Sequence, residues 1–166
     1  TTNIVRLNAA AVSMTGGSIS DALQHRPGNA LRCIHSSKDP RGCGYSKVCR
    51  VCNVRNGLEA LIANGGTIHG AEMLLELMRN GAPEKVWMSI GAEPIQLNGR
   101  RHVGVAMEDI TERKQVVDSL RETSERLSHM IAHSPTIIYA LKVEGGNTMP
   151  IWISDNINVI LGFSAE

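Results

Sequence analysis

The residues best placed to do chemistry are four cysteines, Cys33, Cys43, Cys49 and Cys52, confined to residues 33–52 of a chain with no other cysteine. Their spacing, C-x9-C-G-x4-C-x2-C, gathers a full set of thiolate ligands into one short loop. A tetrahedral metal or iron–sulfur site needs such a set, and an apolar core does not. Cys49 and Cys52 lie three apart at an expected helix start, where one turn brings both sulfurs to one side and the positive helix end favours thiolate. Gly42 and Gly44 flank Cys43 and let the backbone curl so that amide hydrogens face sulfur, while Arg41, Lys47 and Arg50 are the cations expected to offset the site's negative charge. A bound inorganic centre is favoured over disulfides, a thiol switch or free thiols. Zinc ribbons present two separate C-x2-C pairs, and the single pair here tilts the choice towards an iron–sulfur cluster, with zinc the alternative. His35 is a substitute for one thiolate, disfavoured while four cysteines are at hand.

Other candidates carry less. His69 and His102 fall on expected strands, where a satisfied histidine outweighs a haem ligand. Glu72, Glu76, Glu84 and Glu93 are dispersed and read as solvated, and neither a Ser-His-Asp set nor a phosphate loop is present, so the chain is expected to be non-catalytic. Lys plus Arg number 17 against 16 Asp plus Glu, which gives no excess charge for nucleic-acid binding. No apolar run approaches the roughly 20 residues of a bilayer span, and residues 1–7 lack a signal-peptide layout. A cytoplasmic location without membrane contact is expected, where thiols stay reduced. Aromatic residues make up 3% of the chain and Phe163 is its one phenylalanine, so platforms for stacking bases or a flavin are scarce.

The elements that must position the cysteines follow from periodicity and turn chemistry. Asn3-Ile4-Val5-Arg6-Leu7-Asn8 reads as a strand, and Ala9-Ala10-Ala11-Val12 as a short helix broken by Gly16-Gly17. Residues 18–23 form an expected capped turn that stops at Pro27-Gly28. After the cysteine loop, Val54, Leu58, Leu61 and Ile62 recur at helical spacing up to Asn64-Gly65-Gly66. Three strand-like runs follow, at residues 67–78, 86–97 and 102–107, with a turn at residues 80–83 and a two-residue hairpin signal at Asn98-Gly99. The fold class expected is α+β: an antiparallel sheet with short flanking helices, followed by a long linker helix. In that helix Ile110, Val117, Ser124 and Ile131 are spaced by seven, with Leu120 and Leu127 between them. The stripe suits a parallel dimer seam over residues 110–131, with packing on its own domain the alternative. Beyond Pro135, residues 136–141 and 151–154 read as strands around Gly145-Gly146-Asn147, and residues 156–161 as a helix ending at Gly162.

Asp109-Ile110-Thr111-Glu112-Arg113-Lys114 resembles the motif that closes the last strand of a PAS sensory domain and starts its signalling helix. Trp152-Ile153-Ser154, Asn156 and Leu161-Gly162-Phe163-Ser164 resemble the early strand, short helix and Gly-aromatic turn of a second PAS unit. The resemblance divides the chain into a PAS domain (residues 1–109), a linker helix (110–133) and the N-terminal part of a second PAS domain (134–166). It implies a five-stranded antiparallel sheet, a homodimer, and a role in bacterial signal transduction upstream of a kinase, cyclase or similar output domain. The first unit departs from the family in lacking its initial strand. Neither unit has the Asn-Cys-Arg-Phe-type sequence of flavin-attaching relatives, so no flavin is expected. Cys33-Ile34-His35, Pro40-Arg41-Gly42-Cys43-Gly44 and Cys49-Arg50-Val51-Cys52 resemble the cysteine-rich insertion of a subset of these proteins. Such a module senses redox state or a ligand through Cys33, Cys43, Cys49 and Cys52. The alternatives are a structural zinc site and a dithiol redox protein using Cys49 and Cys52. His129 and His133, ahead of Pro135, invite comparison with a phosphoacceptor helix, but a strand follows where a second long helix is required.

Overall fold

Two Asn-Gly dipeptides shape the sheet of this α+β chain, whose computed structural model describes residues 2–162. Asn80-Gly81 and Asn98-Gly99 all have positive φ (51°, 81°, 51° and 72°), the backbone that two-residue hairpins require. They join β1 (Ile68–Arg79), β2 (Ala82–Leu97) and β3 (Arg100–Asp109) into an antiparallel sheet of order β1-β2-β3. β1 reaches only to the Ile68–Ala92 pair, so Pro94, which has no N–H to give, pairs with β3 alone. Leu77, Val86, Met88 and Ile90 are at most 2% exposed. Each such side chain contributes roughly 1.5–3 kcal/mol of burial free energy.

Short helices supply the cover for this core: α1 (Ala9–Thr15), α2 (Ile19–Ala22), α3 (Pro27–Ala30) and α4 (Asn53–Asn64). Asn8 caps α1 by accepting from the Ala11 amide, and Ser18 and Asp21 form a capping box on α2. Leu31 packs with Leu77, Val86, Met88 and Ile90, while Leu58 and Leu61 of α4 pack on Ala92. The chain divides after Glu112 into two compact units.

Several expectations are corrected. Residues 3–8 form no strand: Ile4 exchanges backbone bonds only with the turn at Gln24 and His25, which offers no ladder to extend. The first unit's sheet accordingly has three strands and not five. Pro27-Gly28 starts a helix, with Pro27 in the first turn, where its missing N–H is harmless. Ile110, expected on the dimer stripe, is 2% exposed, and its amide donates to the Trp87 carbonyl. It belongs to the core of the first unit.

Helix α5 (Thr111–Ala132) begins at the boundary of the first unit and continues into the second. The second unit then forms the hairpin β4 (Tyr139–Glu144) and β5 (Asn147–Ile153), followed by α6 (Ile157–Leu161). The expected strand from Thr136 starts later, at Tyr139. Buried Asn156 donates to the carbonyls of Ser134 and Thr136, Ser154 Oγ accepts from the Ile138 amide, and the Ser154 amide donates to the Ile138 carbonyl, so residues 134–138 are held mainly by side chains ahead of the ladder. Phe163 and Ser164, part of the expected Gly-aromatic turn, lie outside the described residues.

Candidate metal centre

All four cysteines line one cavity of about 470 Å³ between the loop, α4 and β1. Each reaches it by a different route. Cys33 follows α3 and is bridged to the edge of β1 opposite Leu77; Ile34 N–H donates to the Glu76 carbonyl and Met78 N–H to the Arg32 carbonyl. Cys43 lies in the glycine-flanked loop, its amide donating to Asn29 Oδ1 at 2.6 Å. Cys49 sits in a 3-10 turn, Lys47–Val51, and Cys52 is the N-cap of α4. The C-x2-C pair therefore joins a tight turn to a helix start, where one regular helical turn was expected. All four cysteines are free.

Backbone amides near three of the sulfurs favour their charged form: those of His35 and Ser36 at Cys33, of Gly28 at Cys43, and of Gly44 and Ser46 at Cys49. The Ser46 hydroxyl lies 3.5 Å from Cys49 Sγ. Such donors stabilise sulfur that carries negative charge, and a core thiol has no use for them. Burial pushes the Cys33 and Cys43 thiols up, and the neighbouring sulfurs add to this because negative charges held close together resist ionisation. Burial opposes ionisation of Cys49 too, but the Ser46 hydroxyl, the Gly44 and Ser46 amides and the Arg55 guanidinium outweigh it and bring that thiol below its usual range.

One of the expected cations is engaged elsewhere, and two other arginines reach the loop. Arg41 is held by Asp39 in a bidentate pair and lies over the Tyr45 ring. Arg55 and Arg26 serve the site: Arg55 donates to the Gly44 carbonyl at 2.7 Å and Arg26 to the Cys43 carbonyl at 2.8 Å. Arg55 lies three residues past Cys52, one helical turn on, a spacing that could have flagged it. Arg26 is 17 residues from Cys43 and left no such signal. Gly44 has φ of 97°, and a Cβ there would stand 2.4 Å from Arg26 Nη1, so a side chain would displace the arginine.

His35 lines the cavity, and its Nδ1 is buried without a hydrogen-bond partner. His69 Nε2 lies 2.8 Å from the Thr67 hydroxyl, and the His129 and His133 rings lie 4.2 Å apart with their planes tilted by 58°. Neither contact involves the cysteines. Among the described residues no three His, Cys, Asp or Glu side chains converge in the arrangement of a single-ion site. The four sulfurs share a cavity and feel one another's charge without closing on one point. Their donor set nevertheless suits a soft metal or an iron–sulfur centre: four thiols on one cavity, and two arginines bound to the loop's carbonyls.

Among the described residues no helix is long and apolar enough to cross a membrane. Comparison with protein-family models gives no match, and comparison with curated proteins gives none either. The function must be argued from the site.

Proposed function

We propose that this chain is a sensory and dimerisation module of the PAS type, in which Cys33, Cys43, Cys49 and Cys52 hold an iron–sulfur centre and α5 relays its state. The observation that carries the reading is that four thiols line one cavity, with backbone amides near three of them favouring the charged form of sulfur. An iron–sulfur centre bound there supplies a change of charge on oxidation or reduction. The protein's part is to hold four sulfurs, to stabilise their charge through amides and Arg55, and to tie the loop to the sheet.

That tie leads to the linker helix. Cys33 is bridged to Leu77; Arg79, two residues further along β1, pairs with Asp109 at 2.9 Å; and Asp109 accepts from the Thr111 amide at the start of α5. The Trp87 amide donates to Thr111 Oγ1 at 2.9 Å, fixing the same point from β2. A shift of Cys33 thus acts on the strand that anchors the helix start. Val116, Val117, Leu120, Leu127 and Met130 are each at least 54% exposed on α5. Arg121 pairs with Glu125 and Arg126 with Glu122 within the helix, which leaves the apolar stripe for a second copy of the chain. An output domain downstream would read that dimer. Neither nucleic acid nor membrane is a partner in this reading.

A structural zinc site is the second reading, favoured by the same amide-to-sulfur bonds, which any tetrathiolate uses. A dithiol enzyme built on Cys49 and Cys52 is weaker, because Cys49 is 7% exposed and thiol exchange needs access. The test is anoxic purification or reconstitution, followed by metal and sulfide analysis and visible spectroscopy. Iron with acid-labile sulfide and charge-transfer absorption, lost on Cys→Ala substitution, supports the proposal. Stoichiometric zinc without iron leaves only the structural reading, and no bound metal of either kind overturns both.

A further inference from the structure

We infer that His35 is a fifth protein group of the cysteine site, its Nδ1–H donating a hydrogen bond to a sulfur of the bound centre. The inference rests on the cysteine loop holding an inorganic centre. Among the described residues, His35 Nδ1 is the one side-chain nitrogen or oxygen that is both buried and without a hydrogen-bond partner. Leaving such an atom unpaired costs about 1–3 kcal/mol, so it calls for a partner that the protein itself does not supply. The same residue lines the cavity shared by all four cysteines.

The backbone has already placed His35 for this task. Ile34 is fixed to β1 through its bond to Glu76, and the Ser36 amide and hydroxyl both donate to the Cys33 carbonyl, at 2.8 and 2.6 Å. The ring therefore hangs from a segment pinned on both sides of the Cys33 sulfur. Among the four sulfurs' neighbours, the donors described so far are backbone amides and the Ser46 hydroxyl. An imidazole N–H adds a donor on the Cys33 side. Donation is assigned in preference to coordination, because four thiols already complete a tetrathiolate set and a ligating ring would leave one of them idle. Outer groups of this kind orient the ligands and set how firmly a centre is held.

Two substitutions in the whole chain separate the roles. His35→Phe keeps a planar ring but removes the nitrogen, and His35→Asn places an amide N–H near the position of Nδ1. Each is loaded anoxically beside the parent chain, and retention is followed by chelator competition and by the visible spectrum, with far-UV circular dichroism as the check on folding. His35→Phe is expected to weaken retention roughly 10–100-fold, the range for loss of an outer hydrogen bond, and His35→Asn to restore most of it. If the parent chain takes up neither iron nor zinc, the reading of the site falls and this inference with it. If the parent chain loads and His35→Phe retains its centre equally well, or His35→Asn is as defective as His35→Phe, the inference alone is overturned.

Discussion

Gly28 offers a direct test of whether the cysteine loop is shaped around a bound centre. It lies in α3 with an ordinary helical φ, so alanine there meets no backbone strain. A Cβ would stand 2.6 Å from Cys43 Sγ, 3.1 Å from Cys43 Cβ and 3.7 Å from Cys33 Cβ. Restoring ordinary contact at 3.4 Å requires the sulfur to retreat by about 0.8 Å. Rotation about the Cys43 side chain does not suffice, because its Cβ is also crowded and the loop must give way. Metal–ligand distances tolerate only about 0.2 Å.

The expected effects on stability and on loading therefore differ in size. Replacing a helical glycine by alanine gains roughly 0.5–1 kcal/mol, and overpacking costs about 1–3 kcal/mol. Gly28→Ala should then destabilise the metal-free chain by on the order of 1 kcal/mol in urea denaturation, while retention of the centre against a chelator falls at least tenfold, about 1.4 kcal/mol. Gly57→Ala, inside α4 with only Ile68 Cδ1 at 3.3 Å, is the control and should retain the centre as the parent does. A Gly28→Ala chain that loads with the parent's stoichiometry, spectrum and chelator half-life would refute the reasoning.

Two further outcomes are expected. The Asp109 carboxyl is pushed up by burial, but hydrogen bonds from the Thr111 hydroxyl and amide and the Arg79 pair outweigh this and hold it below the usual carboxylate range. Because its folded pKa is depressed, its contribution is complete above the unfolded value of about 3.9 and is lost as pH falls through the folded value. Asp109→Asn should flatten the acid limb of the stability–pH curve, with an Arg79–Asp109 coupling of about 0.5–1 kcal/mol in a double-mutant cycle; an unchanged acid limb contradicts the assignment. On α5, Leu120→Glu with Leu127→Glu places charge at two stripe positions that are 69% and 54% exposed. Loss of two buried leucines, roughly 1.5–3 kcal/mol each per protomer, should turn a dimer into a monomer in sedimentation, and a parent chain already monomeric at high concentration removes the seam.

What was legible in the sequence was local. The Asn98-Gly99 turn and the period of α4 each depend on residues within a turn or two of one another, and both appear with Gly65 closing α4 as expected. The misread features were decided at a distance. Residues 3–8 have strand-forming character but no strand beside them, and residues 136–138 have it too but are held by Asn156 and Ser154. The same division runs through the site. Gly44 directs its amide at Cys49 as its place in the loop suggests, whereas Gly42 sends its own to Asp39. Arg41 looked available to the thiols until its nearer neighbour Asp39 took it, and Arg26 reaches the loop only because α3 brings it there.

The four cysteines are not equivalent in what they are attached to, and this bears on whether a centre there senses or only staples. Cys43 lies between two glycines at φ of 85° and 97°, in a loop tied through Asn29 and Arg26 and not to the sheet. Cys33 is in register with the edge of β1, and Cys52 caps the helix that packs Leu58 and Leu61 on the sheet. A staple needs only to close the loop, and ligands on loop residues would serve it. Here two of the four sulfurs belong to the sheet edge and to a helix start, so any change in their separation must be taken up between β1 and α4, on either side of the cavity the sulfurs line. β1 is also the strand that carries Arg79 to Asp109. In the proposed reading, the attachment points pass a small change at sulfur to the residues that start α5, which argues for a sensor over a staple.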